Sequence, residues 1–166
     1  IALEITKSDL DSCSIVLGYQ SDKVADVIKD LNINLILNPL WKEGQASSLR
    51  AAINTLDSTY SDLLIMLGDL PGIKSSHINS IIEEHLLTDN RKSKITIPSF
   101  KGQKGNPVIW GRSFFHDLSN LEGDVGGRTL FNEHPAAINI LEMDDPWVVK
   151  DADTPEDLET FLSNGA

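Results

Sequence analysis

One cysteine, Cys13, stands among 166 residues. An internal disulfide is therefore excluded, and a reducing compartment, the cytoplasm, is expected. Cys13 lies in "CSIVL" and reads as a buried strand residue. Long hydrophobic runs are missing too. None approaches the ~18 apolar residues of a membrane-spanning helix, so no membrane partner is expected. Basic residues are a minority, 14 Lys and Arg against 25 Asp and Glu, for a net charge of -11. That balance argues against general affinity for nucleic acid or anionic membrane. The histidines, His77, His85, His116 and His134, show no zinc spacing with one another or with Cys13, and no Ser-His-Asp order stands out. No internal repeat, linker or low-complexity segment divides the chain. One domain over residues 1–166 is expected, large enough to bury about 70% of its unfolded surface. The chain opens on Ile1, in the middle of a pattern, and reads as N-terminally incomplete.

What is present is an alternation of short apolar runs with helix-period segments. "CSIVLG" (13–18), "INLIL" (33–37) and "LLIML" (63–67) read as strands. Between and after them, Val24, Val27, Ile28 and Leu31, then Leu49, Ala52, Ile53 and Leu56, then Ile78, Ile81, Ile82, His85 and Leu86 mark helix faces. Ser21 is a candidate cap for the first of these helices, and Ser75 or Ser76 for the third. "KITIP" (94–98) and "PVIWG" (107–111) are further strands, a short helix carries Phe114, Phe115 and Leu118, and "AINILEM" (137–143) is the last long strand. The order predicts an α/β protein: three α/β/α layers around a mostly parallel sheet. Ligands gather at the carboxyl ends of strands in such sheets, which puts Gly18, Asn38, Gly68 and Asp69 on one rim.

Five stretches on or near that rim carry candidate chemistry. In "LGDLPG", Asp69 follows a central strand at once. A carboxylate there suits Mg²⁺, which takes one or two protein carboxylates and completes its shell with phosphate and water; the alternative is a helix cap. In "KDADTPEDLETF" (150–161), Thr154 caps a helix, Pro155 opens it and acids fill its first turn. Asp151 and Asp153 precede that helix, and a second acid there could close a metal site with Asp69. In "FKGQKGNPVIWGR" (100–112), Lys101 and Lys104 flank glycines whose backbone N–H groups suit phosphate, unless the loop is an ordinary glycine turn. Residues 91–112 hold six of the 14 basic residues and no acid. In "LEGDVGGRTLF" (121–131), glycines permit close backbone approach and Arg128 offers a fork for an anion. In "NPLWKEGQASSL" (38–49), Gly44 and two hydroxyls sit at a helix start, either as donors for an oxygen-rich ligand or as a plain cap.

These five motifs, in this order across nearly the whole chain, resemble the MobA-like nucleotidyltransferases, and most closely the molybdenum cofactor cytidylyltransferase (MocA-like) branch. The resemblance implies a Rossmann-like fold of the nucleotide-diphospho-sugar transferase type. It implies that an NTP, CTP by preference, gives its NMP to the phosphate of a molybdopterin-type acceptor with Mg²⁺ as cofactor, and that pyrophosphate leaves. Asp69 and Asp153 would hold the metal and carry catalysis, with Asp151 as a substitute for Asp153. Gly44, Ser48, Gly68, Leu70 and Pro71 would line the nucleotide. Lys104, Gly105, Asn106, Pro107, Asp124, Gly127 and Arg128 would line the acceptor. A molybdenum hydroxylase is the partner implied downstream.

The family's first strand and its Gly-rich loop, of the form AAG-x-S-x-R-M-G, have no counterpart here. The fold is therefore expected without that strand, with apolar surface exposed on its neighbours and without the family's grip on the triphosphate. A non-catalytic, cofactor-carrying relative for a molybdenum hydroxylase is the alternative of a different class. A guanylyltransferase is another, as is a sugar-nucleotide transferase using residues 151–153 as its metal-binding triplet.

Overall fold

The computed structural model describes residues 1–152 and 154–164. A short helix, α1 (Ala2–Ile5), is followed by β1 (Ser14–Leu17), α2 (Ser21–Ile28), β2 (Asn34–Leu37), α3 (Gln45–Ile53), β3 (Asp62–Ile65) and α4 (Ser75–Leu87). The second half holds β4 (Ile95–Phe100), β5 (Gln103–Lys104), β6 (Val108–Gly111), α5 (Phe115–Ser119), β7 (Ile138–Glu142) and α6 (Pro155–Asn164). The α/β class expected from the alternation of periods is the fold observed.

The sheet is mixed rather than mostly parallel. β1 and β2 pair in parallel as a separate two-stranded sheet. The larger sheet runs β3-β6-β4-β5, with β7 parallel to β4. β6 is antiparallel to both β3 and β4 and lies between them. Periodicity marks a strand but carries no direction, so this insertion was not legible locally. Among the described residues, β1 and β3 each keep one edge without a strand partner. The smaller sheet also leaves Leu35 45% and Leu37 65% exposed.

The core lies under the larger sheet. Ile95, Ile97, Val108, Trp110, Phe114, Leu118, Leu130 and Phe131 form one buried cluster. The Trp110 ring stacks on Phe131 at 5.6 Å and meets Phe114 edge-on at 6.1 Å. Such aromatic pairs add about 0.5–1.5 kcal/mol beyond the area they bury. A second cluster, Leu70, Ile73, Ile78 and Val148, seals the loop after β3 against α4 and the segment before α6.

Helix starts differ from expectation. Ser21 is the first residue of α2, and Gln20, in left-handed backbone at φ 53°, precedes it without a side-chain cap. At α4 the Ser75 N–H donates to Glu4 Oε2 at 2.9 Å, and the His77 ring accepts from the Lys74 N–H at 3.2 Å. A carboxylate 71 residues away thus does the work expected of a local serine. Its bonds from Lys7 and Ser75 hold Glu4 down at about 2. Thr154 caps α6 as expected: its hydroxyl accepts from the Asp157 N–H at 3.1 Å, while its own N–H donates to the Asp157 carboxylate at 2.9 Å. Cys13 lies just before β1, half-buried rather than within the strand, and burial raises its pKa.

Candidate functional site

Strand directions decide which loops meet. β3 and β4 run the same way because each is antiparallel to β6, and β7 follows β4. The segments after β3, β4 and β7, and the segment before β6, therefore share one edge of the sheet. Residues 66–73, 101–107 and 143–152 gather there.

Asp69 lies in the first of these loops. Its backbone carbonyl accepts from the Ala152 N–H at 2.8 Å, so the Asp151-Ala152 segment is pinned beside it. Its carboxylate is the odd feature. Oδ1 is buried and has no hydrogen-bond partner among the described residues. An unpaired buried carboxylate oxygen costs several kcal/mol of lost solvation unless something accepts its charge. The helix-cap alternative is excluded, since α4 begins six residues later and is capped by Glu4 and His77. An orphaned oxygen donor beside an exposed acid, Asp151, fits a hard divalent cation completed by phosphate or water. Among the described residues no three His, Cys, Asp or Glu side chains cluster as a full protein cage for a metal. Asp153, the expected second ligand, lies outside the described residues.

Around Asp69 the nucleotide-side residues divide. Gly68 is exposed, and a Cβ there would meet nothing within 4 Å. Leu70 is 2% exposed and belongs to the core, so only its backbone faces the loop. Pro71 is half-buried, and Gly72 lies flat against the Trp147 ring. Ser48 sits further off, on α3, where its hydroxyl accepts from the Asn38 amide at 3.1 Å. Asn38 also donates to Ser47 at 2.8 Å and accepts from the Leu40 N–H at 3.0 Å. This buried amide network orders the loop before α3. The sequence places Asn38 on the rim, and an Asn followed by Pro after a strand is a turn signal, but its bonds to Ser47 and Ser48 left no trace there.

Gly44 needs to be glycine. Its φ is +99°, and a Cβ would stand 2.5 Å from the Asp124 Cα. This contact joins the "KEGQ" and "EGDVGG" motifs. Across it, Asp124 Oδ1 accepts from the Gln45 N–H at 3.1 Å, and the Gly123 carbonyl accepts from the Ala46 N–H at 3.2 Å. Asp124 therefore caps α3, and those two donors are already taken. Gly127 faces the core, where a Cβ would stand 2.6 Å from the Trp110 ring. Arg128 is exposed, and its side chain makes no hydrogen bond or ion pair among the described residues.

On the hairpin side, Gly105, Asn106 and Pro107 are buried. Gly105 donates to the Pro98 carbonyl and Asn106 N to the Val148 carbonyl, both at 2.7 Å. The Asn106 side chain is 8% exposed and makes no hydrogen bond among the described residues. The basic stretch is dispersed. Arg91 binds Asp62, Lys94 binds the Ala136 carbonyl and Arg112 binds the carbonyls of Asp57 and Tyr60. Lys101 and Lys104 remain at the hairpin, with the Lys104 ammonium 5.2 Å from the Phe131 ring centre. Only these two of the 91–112 cations stand at the Asp69 edge.

No helix among the described residues is long and apolar enough to cross a membrane. Comparison with known proteins agrees with the fold. The chain is 24% identical over 112 residues to the bifunctional protein GlmU of Prochlorococcus marinus (strain MIT 9211), a match covering 68% of this chain and 24% of that protein. It thus spans about a quarter of the length of that curated relative. The crystal structure of an Rv0371c homolog from Mycobacterium sp. strain JC1 superposes with a TM-score of 0.80 at 25% identity, covering 98% of this chain and 79% of the other. Rv0371c of Mycobacterium tuberculosis, solved in complex with manganese, superposes with a TM-score of 0.80 at 22% identity, covering 98% and 84%. The model of the MobA-like NTP transferase domain matches residues 2–138. With most of its length, all seven strands but the last included up to Ile138, on that pattern, the chain belongs to the MobA-like NTP transferase domain family.

Proposed function

We propose that this protein is a divalent-metal-dependent nucleotidyltransferase that transfers an NMP from an NTP to a phosphorylated acceptor. By the likeness of its motifs to the MocA-like branch, the NTP is CTP and the acceptor a molybdopterin-type phosphate. An acceptor phosphate oxygen forms the new bond to the α-phosphorus, and the bond from that phosphorus to the departing pyrophosphate breaks. The observation that carries the reading is the buried, partnerless Oδ1 of Asp69 on the loop edge of the sheet.

Asp69 and Asp153, with Asp151 as substitute, would hold the metal. When bound, a divalent ion supplies charge neutralisation on the phosphates. The chain's own residues bind and orient. Gly44 and the Asn38–Ser48 network shape the loop on which the nucleotide would lie. Lys101, Lys104 and Arg128 present cations to anionic groups, and the Asn106 amide keeps unused hydrogen-bonding capacity for a ligand. No side chain is required as a covalent nucleophile, because positioning and electrostatics account for phosphoryl and nucleotidyl transfer. The manganese bound by Rv0371c supports a divalent ion as the cofactor class.

The test is pyrophosphate release by the full-length gene product with CTP, GTP, ATP or UTP, a molybdopterin-type acceptor, and Mg²⁺ or Mn²⁺. Release with CTP that depends on both metal and acceptor is expected. A different preferred base would correct the donor. No release with any NTP would return the protein to the cofactor-carrying reading.

A further inference from the structure

The segment 145–152 crosses the Asp69 edge like a strap, and each of its ends is tied. At the far end the Ala152 N–H donates to the Asp69 carbonyl at 2.8 Å. In its middle the Val148 carbonyl accepts from the Asn106 N–H at 2.7 Å, and the Trp147 ring lies against Gly72 and meets Phe161 edge-on at 5.0 Å. At the near end Asp145 accepts twice, from its own strap through the Trp147 N–H at 2.9 Å and from His77 Nε2 at 3.1 Å.

The His77 ring is oriented by both its nitrogens. Nδ1 accepts from the Lys74 N–H at 3.2 Å, so in the neutral ring Nε2 carries the proton and donates to Asp145. A ring 8% exposed, with one nitrogen on its own helix start and the other on the strap, does more than a helix cap requires. We propose that His77 is a positioning residue. Through Asp145 it latches the strap, and the strap fixes the loops that carry Asp69 and Asn106. The inference rests on the reading of Asp69 as a metal-holding carboxylate.

Two substitutions separate the latch from the cap. His77→Asn keeps an acceptor near the Nδ1 position for the Lys74 N–H but has no arm to reach Asp145. His77→Gln places an amide N–H near the Nε2 position and keeps the bond to the strap. Asp145→Asn, which retains an oxygen for the Trp147 N–H, perturbs the same bond from the other side. Amide hydrogen exchange of these variants is measured together with Mn²⁺ titration, using the metal alone. Loss of one hydrogen bond to a charged group predicts roughly tenfold faster exchange at the Ala152 and Asn106 amides in His77→Asn, with the interior amides of α4 unchanged. Mn²⁺ affinity is expected to fall several-fold in that variant, and His77→Gln to restore both readings.

Unchanged exchange at Ala152 and Asn106 in both His77→Asn and Asp145→Asn would overturn the latch. So would uniform acceleration along α4, which would make His77 a helix cap alone. Asp69→Asn serves as the control. Wild-type Mn²⁺ binding in that variant would remove Asp69 as a ligand while the exchange data still judge the latch. Lost Mn²⁺ binding in Asp69→Asn beside normal binding in His77→Asn would keep the ligand and refute the positioning.

Discussion

At the start of β3 every oxygen of one carboxylate is used; four residues beyond its end another carboxylate has a buried oxygen with no hydrogen-bond partner among the described residues. Asp62 Oδ1 accepts from His85 Nε2 at 3.0 Å, and Oδ2 accepts from Ser61 at 2.6 Å and Arg91 at 3.1 Å. The second ring nitrogen of His85 meets the Thr96 hydroxyl at 2.8 Å, so the network closes inside the core. Burial pushes the Asp62 carboxyl up, but the bonds from Ser61, His85 and Arg91 outweigh it and hold the pKa below its ordinary value. The two acids sit at opposite ends of the same strand. The satisfied one is built for stability. The unsatisfied one is stable only because the fold around it forces it to be, which is the usual mark of a functional group.

That contrast breaks most sharply at Asp69. Asp69→Asn is expected to lower pyrophosphate release by about 10²–10³-fold, the scale of losing one electrostatic stabiliser of a developing charge. Its thermal midpoint should stay level or rise, because a neutral amide replaces a poorly solvated charge. A variant that kept full turnover would end the metal assignment. Asp62→Ala should behave in the opposite sense. It leaves His85 and Arg91 without their acceptor and is expected to lower stability in urea by about 2–4 kcal/mol while turnover per folded molecule is preserved.

Acid sharpens the same comparison. Asp62 has a lowered pKa when folded, so its stabilising contribution is complete above the ordinary value of 3.8 and disappears as pH falls through the lowered one. Urea midpoints of the native chain should drop over that acid range, with a shallower slope in Asp62→Ala. Gly44→Ala tests the junction of the α3 and 121–128 motifs. A positive φ and a Cβ 2.5 Å from Asp124 predict a loss of about 1–3 kcal/mol, read as a lower thermal midpoint. The smallest effect is expected from Lys104→Ala, an exposed cation whose removal should raise the acceptor KM by only about threefold with kcat unchanged. An unchanged KM would return the hairpin to a glycine turn.

Much of this was legible in the residues. The apolar runs marked five of the six longer strands to within a few positions, and 137–143 held the last. Capping rules found Thr154, whose partner lies three residues away, and missed the start of α4, whose partner Glu4 lies 71 away. His85 lies on an apolar helix face in the sequence, as a core or boundary residue would, and the fold buries it to 1% exposure. Its hydrogen-bond partners, Asp62 and Thr96, come from two different strands and left no local trace. Among candidate site residues, Asp69 stood out because no local rule used it. Asp124 entered through the family resemblance and Gly127 through its glycine-rich motif, and the fold uses one to cap α3 and the other to make room for Trp110.

The sequence alone thus determined the α/β class, the approximate positions of the longer strands, the order of the motifs and Asp69 as an acid that no local rule uses. These depend on period, capping and turn chemistry, which act within a few residues. Only the tertiary structure decided that β6 runs antiparallel between β3 and β4, that residues 145–152 lie across Asp69, and that Asp62 is fully paired while Asp69 is not. Those outcomes depend on which distant backbones share a sheet edge, and a hydrogen bond between residues 83 apart, such as that from Ala152 to Asp69, carries no signature in the residues near either end.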